Sequence, residues 1–173
     1  MALHNAGIRV VMDVVYNHTS KTADSNFSLI VPGYYYRMAN GSFLNGSGCG
    51  NETASERAMY RKFMIDSVKY WATEYHIDGF RFDLMGLHDI ETMNLLSAEL
   101  HKINPSVLLY GEGWNAGTSG LADTKAALKK NASKLSGIAV FSDDIRDAIK
   151  GSVFTATDKG FVSGKSGCEQ GIL

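Results

Sequence analysis

The sequence predicts an α/β fold in which β-strands alternate with α-helices and pair in parallel. Short apolar runs of strand length, the first at 8–15, are separated by segments whose apolar residues recur at helical spacing. The order along the chain is a strand, a long loop and a helix, followed by three further strands that each precede a helical segment. Such alternation is typical of parallel βαβ units, whose helices cover the sheet.

The composition is that of an ordinary globular protein. The chain has 173 residues, 45% of them hydrophobic and 20% charged, which is enough for a substantial core. A net charge of -1 gives no long-range attraction to nucleic acid or to an anionic membrane. No apolar run approaches the roughly 20 residues of a membrane helix, and the N-terminus lacks the pattern of a signal peptide. Cys49 and Cys168 form no recognisable disulfide or metal motif, so the sequence indicates no compartment.

A long loop is predicted at 20–51, directly after the first strand. Gly, Asn and Ser dominate it, and loops of this length inside a compact domain are more often functional than idle. Its aromatic cluster, Tyr34–Tyr36, fits two interpretations equally well: a surface that stacks on sugars, or a small core of the loop itself.

Two helices are predicted in the middle of the chain. Thr53–Glu56 has the spacing of a capping box and precedes a Met-rich and aromatic stripe, which we expect to form a core-facing helix of about five turns. The stripe consists of Met59, Phe63, Met64, Val68, Trp71, Ala72 and Tyr75. Asp89 is the expected N-cap of a second helix, from Ile90 to about Ile103.

The later part of the chain repeats the pattern of strand and helix. A weaker helical segment is predicted at 121–130, and Ser142 is the expected N-cap of a short helix at 143–150 that Gly151 ends. The three strands that follow the long loop are predicted at 78–83, 107–110 and 138–141.

Polar side chains gather where the predicted strands end. Parallel strands present their carboxyl ends to the same side of a sheet, so we expect these side chains to lie close together. In chain order the strand ends supply Asp13, Asn17 and His18, then Arg81 and Asp83, then Glu112 and Trp114, and finally Asp143 and Asp144. The last two acids also fit a first helical turn, where acids favour the helix dipole.

Two carboxylates on one edge of a sheet suit glycoside hydrolysis, a divalent-metal site or proton abstraction beside a carbonyl. Although an isolated Arg–Asp pair is more often structural, Arg81 favours the first chemistry. An arginine two residues from Asp83 stabilises the ionised carboxylate that a nucleophile requires. Trp114 could stack on a sugar and desolvate Glu112, or simply pack within its loop, and the sequence does not separate these roles.

Three segments resemble signature regions of glycoside hydrolase family 13, the α-amylase family: Asp13–His18, Gly79–Asp83 and Gly111–Trp114. The longer stretches 75–86 and 141–147 most resemble type I pullulanases, which hydrolyse α-1,6 branch linkages. The resemblance implies a (β/α)8 TIM barrel in which the four strands are the third to the sixth. The loop at 20–51 then corresponds to the family's variable insertion after the third strand.

The resemblance also implies a role for each candidate residue. Asp83 would be the nucleophile and Glu112 the general acid/base, with Arg81 supporting Asp83. Substrate contacts are implied for Asp13, Tyr16, Asn17, His18 and Trp114. The family retains anomeric configuration, which predicts carboxyl groups about 5–5.5 Å apart. We expect an α-glucan substrate, no cofactor, no metal, no nucleic-acid partner and no membrane insertion.

The family's fourth signature region, a His-Asp pair after the seventh strand, has no counterpart here. The sequence contains one His-Asp pair, His88–Asp89, and it follows the second predicted strand. A complete barrel takes about 250 residues. We therefore expect 1–173 to be an incomplete catalytic barrel domain, an internal fragment inactive alone, with unpaired sheet edges that favour association.

Three alternatives stay open. The first is another α-amylase-family activity, such as that of an isoamylase or an α-amylase. The second is a carbohydrate-binding relative that keeps the cleft without turnover. The third is a metal-dependent hydrolase with ligands from Asp13, His18, Asp83 and Glu112, which Arg81 disfavours because a metal site gains little from a neighbouring cation.

Overall fold

The structure, a computed structural model, describes residues 1–172 and divides into two compact units, Met1–Val140 and the chain from Phe141 onward. The first unit contains α1 (Ala2–Asn5), β1 (Val11–Val14), α2 (Asn26–Ile30), β2 (Met38–Ala39), β3 (Ser42–Phe43), α3 (Ala58–Glu74), β4 (Gly79–Phe82), α4 (Ile90–Ile103), β5 (Leu108–Gly111) and β6 (Ala139–Val140), with 3-10 turns at Met85–Leu87 and Lys129–Lys134. The second contains α5 (Asp143–Lys150) and 3-10 turns at Phe161–Ser163 and Glu169–Gly171. Within residues 1–172, no helix has the length and apolar character needed to cross a bilayer.

The four predicted strands pair in parallel in the order β1-β4-β5-β6, which confirms the predicted parallel sheet. The register places Val14 beside Phe82, and Phe82 beside Gly111. Three strands therefore end side by side, and the residues that follow them emerge at one edge of the sheet. Asp13 lies beside Arg81 in the same register, one step before that edge.

The core of the first unit lies between the sheet and the helices α3 and α4. Phe80 and Phe82 of β4 are completely buried in it, and each such side chain contributes about 1.5–3 kcal/mol by leaving water. The buried face of α3 consists of Tyr60, Met64, Val68 and Ala72, and that of α4 includes Met93, Leu96 and Leu100. The predicted stripe on α3 was partly wrong, because Met59, Phe63 and Tyr75 are exposed.

The two later caps are as predicted. The Asp89 carboxylate accepts a hydrogen bond from the Thr92 amide, and α4 has the predicted bounds. Ser142 accepts from the Ile145 amide at the start of α5, which ends at Gly151 with a φ of 101°. Such a positive φ favours glycine.

The capping box at Thr53–Glu56 was predicted wrongly, because α3 begins at Ala58 and has no side-chain cap. The side chains of Thr53 and Glu56 form long-range contacts instead. The Thr53 hydroxyl donates to the Tyr16 carbonyl, and the Glu56 carboxylate accepts from Arg37.

The helix predicted at 121–130 was also wrong. In that segment the Ala127 amide donates to the His88 carbonyl, and the Lys129 amide donates to the Gly113 carbonyl. Backbone groups that pair with neighbouring loops are not available for helical hydrogen bonds.

The loop at 20–51 has its own structure, made of α2 and the β2–β3 hairpin. Tyr36 is completely buried and donates to the Ser25 hydroxyl, while the Tyr35 ring packs 4.8 Å from that of Phe27. Tyr36 therefore fits the interpretation that the aromatic cluster is a small core of the loop, whereas Tyr35 and Phe27 pack against the main core of the first unit. Tyr34 is half-buried, and the Arg57 guanidinium lies 5.4 Å from its ring.

Candidate active site

Arg81 is the centre of a cluster of carboxylates at the carboxyl edge of the sheet. Its Nη1 donates to Asp13 Oδ1 at 2.9 Å and to Asp83 Oδ1 at 3.1 Å, and its Nη2 donates to Glu112 Oε1. Burial lowers the pKa of the Arg81 guanidinium, because it disfavours the charged form. The hydrogen bonds to Asp13 and Asp83 and the charge of Glu112 have the larger combined effect, so the pKa of Arg81 lies above its ordinary value. One permanent cation therefore links the ends of three adjacent strands.

The Asp83 carboxylate is held at both oxygens. Oδ1 accepts from Arg81, and Oδ2 accepts from the side-chain amide of Asn17 at 3.0 Å. The same amide donates to the Asp83 carbonyl at 2.8 Å, and Asn17 is completely buried. Donors on both oxygens fix the orientation of the carboxylate.

His18 is oriented by the other end of the Asn17 side chain. The Asn17 nitrogen donates to Asp83, so its Oδ1 is the acceptor that lies 2.6 Å from His18 Nδ1. In the neutral ring the proton then lies on Nδ1, and Nε2 is a hydrogen-bond acceptor.

Glu112 is held partly by a backbone donor that sequence analysis missed. Its Oε2 accepts from the Leu84 amide at 3.0 Å, and its backbone carbonyl accepts from the Gly86 amide at 2.9 Å. Leu84 has a φ of 38° and a ψ of 49°, a left-handed conformation that costs about 1–3 kcal/mol in a residue with a side chain. This strained turn, 84–87, aims the Leu84 amide at Glu112.

The remaining predicted site residues differ in exposure. Asp13 has a 65% exposed side chain and contacts Arg81. Trp114 is half-buried and, with Gly113, lines a cavity of about 350 Å³. Tyr16 is buried in the core, where its hydroxyl lies 2.8 Å from that of Ser67. Its ring packs against those of Phe63 and Phe82, and a contact between Tyr16 and substrate stays a prediction.

Asp143 and Asp144 belong to the second unit and lie in the first turn of α5, behind the Ser142 cap. Their placement fits the interpretation that they are acids favoured by the helix dipole. In residues 1–172, no group of three or more His, Cys, Asp or Glu side chains is arranged to hold a metal ion.

A buried polar cluster beneath the loops was missed by sequence analysis. It consists of Arg37, Glu52 and His88, all buried. No local pattern distinguishes these residues from ordinary charged residues of a loop, because their partners lie up to 68 positions away in the chain.

The chain is similar over nearly its whole length to known pullulanases, although no protein-family model matches it. It is 45% identical over 172 residues to the pullulanase of Bacillus subtilis (strain 168), covering 99% of this chain and 24% of that protein. The solved structure of Paenibacillus barengoltzii pullulanase with maltohexaose and α-cyclodextrin matches with a TM-score of 0.94 and 50% identity, over 98% of this chain and 26% of that one. Pullulanase from Anoxybacillus sp. LM18-11, complexed with maltotetraose, matches with a TM-score of 0.95 and 46% identity, over 99% and 25%. The chain thus spans about a quarter of the length of these relatives.

Proposed function

We propose that this chain is part of the catalytic barrel of an α-amylase-family enzyme that hydrolyses α-1,6 linkages in pullulan and related α-glucans. The observation that carries the proposal is the Arg81 cluster, in which Asp83 and Glu112 follow adjacent parallel strands and bind one guanidinium. The similarity to pullulanases over 98–99% of the chain supports the choice of substrate.

Asp83 acts as the nucleophile of a retaining reaction. Its carboxylate attacks the anomeric carbon, the bond to the leaving glucan breaks, and a covalent glycosyl-enzyme ester forms. The hydrogen bonds from Arg81 and Asn17 orient the Asp83 carboxylate before the sugar arrives. The two carboxyl groups then lie about 5–5.5 Å apart at the moment of attack.

Glu112 acts as the general acid and then as the general base. It protonates the departing glycosidic oxygen and later takes a proton from the water that hydrolyses the ester. Both its oxygens accept hydrogen bonds in this structure. The hydrogen bonds from Arg81 and the Leu84 amide orient the carboxyl group towards the glycosidic oxygen. Trp114 contributes apolar surface at this strand end and lines the cleft.

His18 and Asp13 bind the sugar at the point of cleavage. The Nε2 atom of His18 is directed by the Nδ1 contact with Asn17 and bonds a sugar hydroxyl. The floor of the site is formed by Asp13, which is exposed and hydrogen-bonded to Arg81, and by the buried Asn17.

Within the complete protein, β1, β4, β5 and β6 are the third to sixth strands of a (β/α)8 barrel, and 20–51 is the insertion after the third strand. The third carboxylate that the family uses to stabilise the transition state comes from elsewhere in that protein.

The test is turnover of pullulan by the full-length protein that contains this chain. We expect Asp83→Asn and Glu112→Gln each to lower kcat by roughly 1,000-fold or more, since each removes a group that reacts directly. The matched controls are Asp66→Asn on α3 and Glu99→Gln on α4. Among residues 1–172, the ion-pair partners of these two acids are lysines of the same two helices. The first product should keep the α configuration, which NMR detects.

Near-full activity in either site variant would contradict the assignment. Binding of α-glucans without release of reducing ends by the unmodified protein would favour the non-catalytic alternative.

A further inference from the structure

We propose that the buried ion pair of Arg37 and Glu52 positions the general acid/base, Glu112, by joining the loops that follow β1, β4 and β5. The inference rests on the proposed function, because it assigns the pair a role in the same site. Arg37 and Glu52 are positioning residues, since neither contacts the reacting groups.

The ion pair between Arg37 and Glu52 is almost completely buried. Arg37 Nη1 lies 3.4 Å from Glu52 Oε1, and the two side chains are 5% and 0% exposed. Removing two charges from water costs several kcal/mol for each ion, and apolar replacements of such pairs are often as stable. A buried pair is therefore better explained by the geometry that it specifies.

Glu52 joins the loop after β1 to the loop after β5. Its Oε2 accepts from the Gly46 amide at 2.7 Å, while its Oε1 accepts from the Gly120 amide at 2.8 Å and the Ser119 hydroxyl at 3.0 Å. The Gly117 amide also donates to the Gly46 carbonyl at 2.8 Å. One carboxylate thus fixes two loops against each other.

Arg37 joins the same assembly to the loop after β4. Its Nη1 donates to the Leu87 carbonyl at 2.9 Å, and its Nε and Nη2 bind Glu56. Leu87 ends the turn 84–87, whose Leu84 amide donates to the Glu112 carboxylate. Because Leu84 is held in a left-handed conformation that costs free energy, its turn needs restraint from outside. Arg37 supplies that restraint at the far end of the turn.

The test compares Arg37→Lys and Glu52→Gln in the full-length protein. A lysine keeps the charge, but its single ammonium group cannot satisfy the Leu87 carbonyl, Glu52 and Glu56 together. A glutamine keeps the size of Glu52 but replaces one acceptor oxygen with a donor. The matched control is Arg61→Lys, because Arg61 also binds several acceptors, Thr92, Glu91 and Asp89, and none of them belongs to the turn 84–87.

We expect both variants to lower kcat on pullulan about tenfold, the size of weakening one hydrogen bond, with KM changed by less than about twofold. Hydrogen exchange at the Leu84 and Gly86 amides should accelerate about tenfold, while exchange in β4 stays as in the unmodified protein. Arg61→Lys should change neither measurement.

The proposal is overturned if exchange at Leu84 and Gly86 is unchanged, if KM rises while kcat is kept, or if Arg61→Lys has the same effects. It is also overturned if neither variant folds, since the pair is then a stability element. An unmodified protein without pullulan activity refutes the proposed function, while accelerated exchange would still demonstrate the restraint on the turn.

Discussion

His88 should make the folded protein sensitive to acid, because it is a histidine that folding keeps neutral. It follows the strained turn and is completely buried, and among the described residues neither ring nitrogen has a hydrogen-bond partner. Burial, and then the nearby Arg37 charge, lower the pKa of His88 from 6.5 to about 3. Between these two pKa values, His88 is protonated in the unfolded chain and neutral in the folded chain.

The pKa difference sets the size and direction of the effect. The folded value lies below the unfolded one, so the contribution of neutral His88 is fully present above pH 6.5 and is lost as the pH falls towards 3. Between pH 7 and pH 5, proton linkage for one such group lowers the free energy of unfolding by about 2 kcal/mol.

Urea unfolding at pH 7 and pH 5 measures this effect. His88→Leu is similar in size and does not titrate, so the unmodified protein should lose about 2 kcal/mol more than this variant between the two pH values. The control is His76→Asn, because His76 is exposed and has a φ of 56° that asparagine tolerates. It should keep the pH dependence of the unmodified protein. Equal pH dependence in the unmodified protein and His88→Leu would refute the reasoning.

Two further predictions concern the site and its support. Arg81→Lys should lower kcat about 100-fold, because one ammonium group cannot bind all the carboxylates that the guanidinium joins. Steady-state kinetics on pullulan measure this change, and an effect on KM alone would contradict the prediction. Gly46→Ala should lower the free energy of unfolding by about 1–3 kcal/mol, because its Cβ would lie 2.3 Å from Glu52 Oε2; an unchanged Tm would count against it.

The sequence by itself determined the parallel α/β architecture and predicted the strand ends at which the candidate site lies. Periodicity predicted the strands, and the Asp89 and Ser142 caps could be predicted because each forms a hydrogen bond only three residues away. The convergence of Asp83 and Glu112 followed from geometry, since parallel strands end at the same edge.

Tertiary structure decided the features whose partners are distant in sequence. The residues of the Thr53–Glu56 box have intrinsic capping ability, but in the folded chain Thr53 and Glu56 bind Tyr16 and Arg37 instead. The Leu84 amide that holds Glu112 is a backbone group, identical in the sequence to any other amide, and only the left-handed turn aims it. Arg37 and Glu52 likewise look like loop charges until folding buries them together, because burial depends on the whole chain and not on local composition.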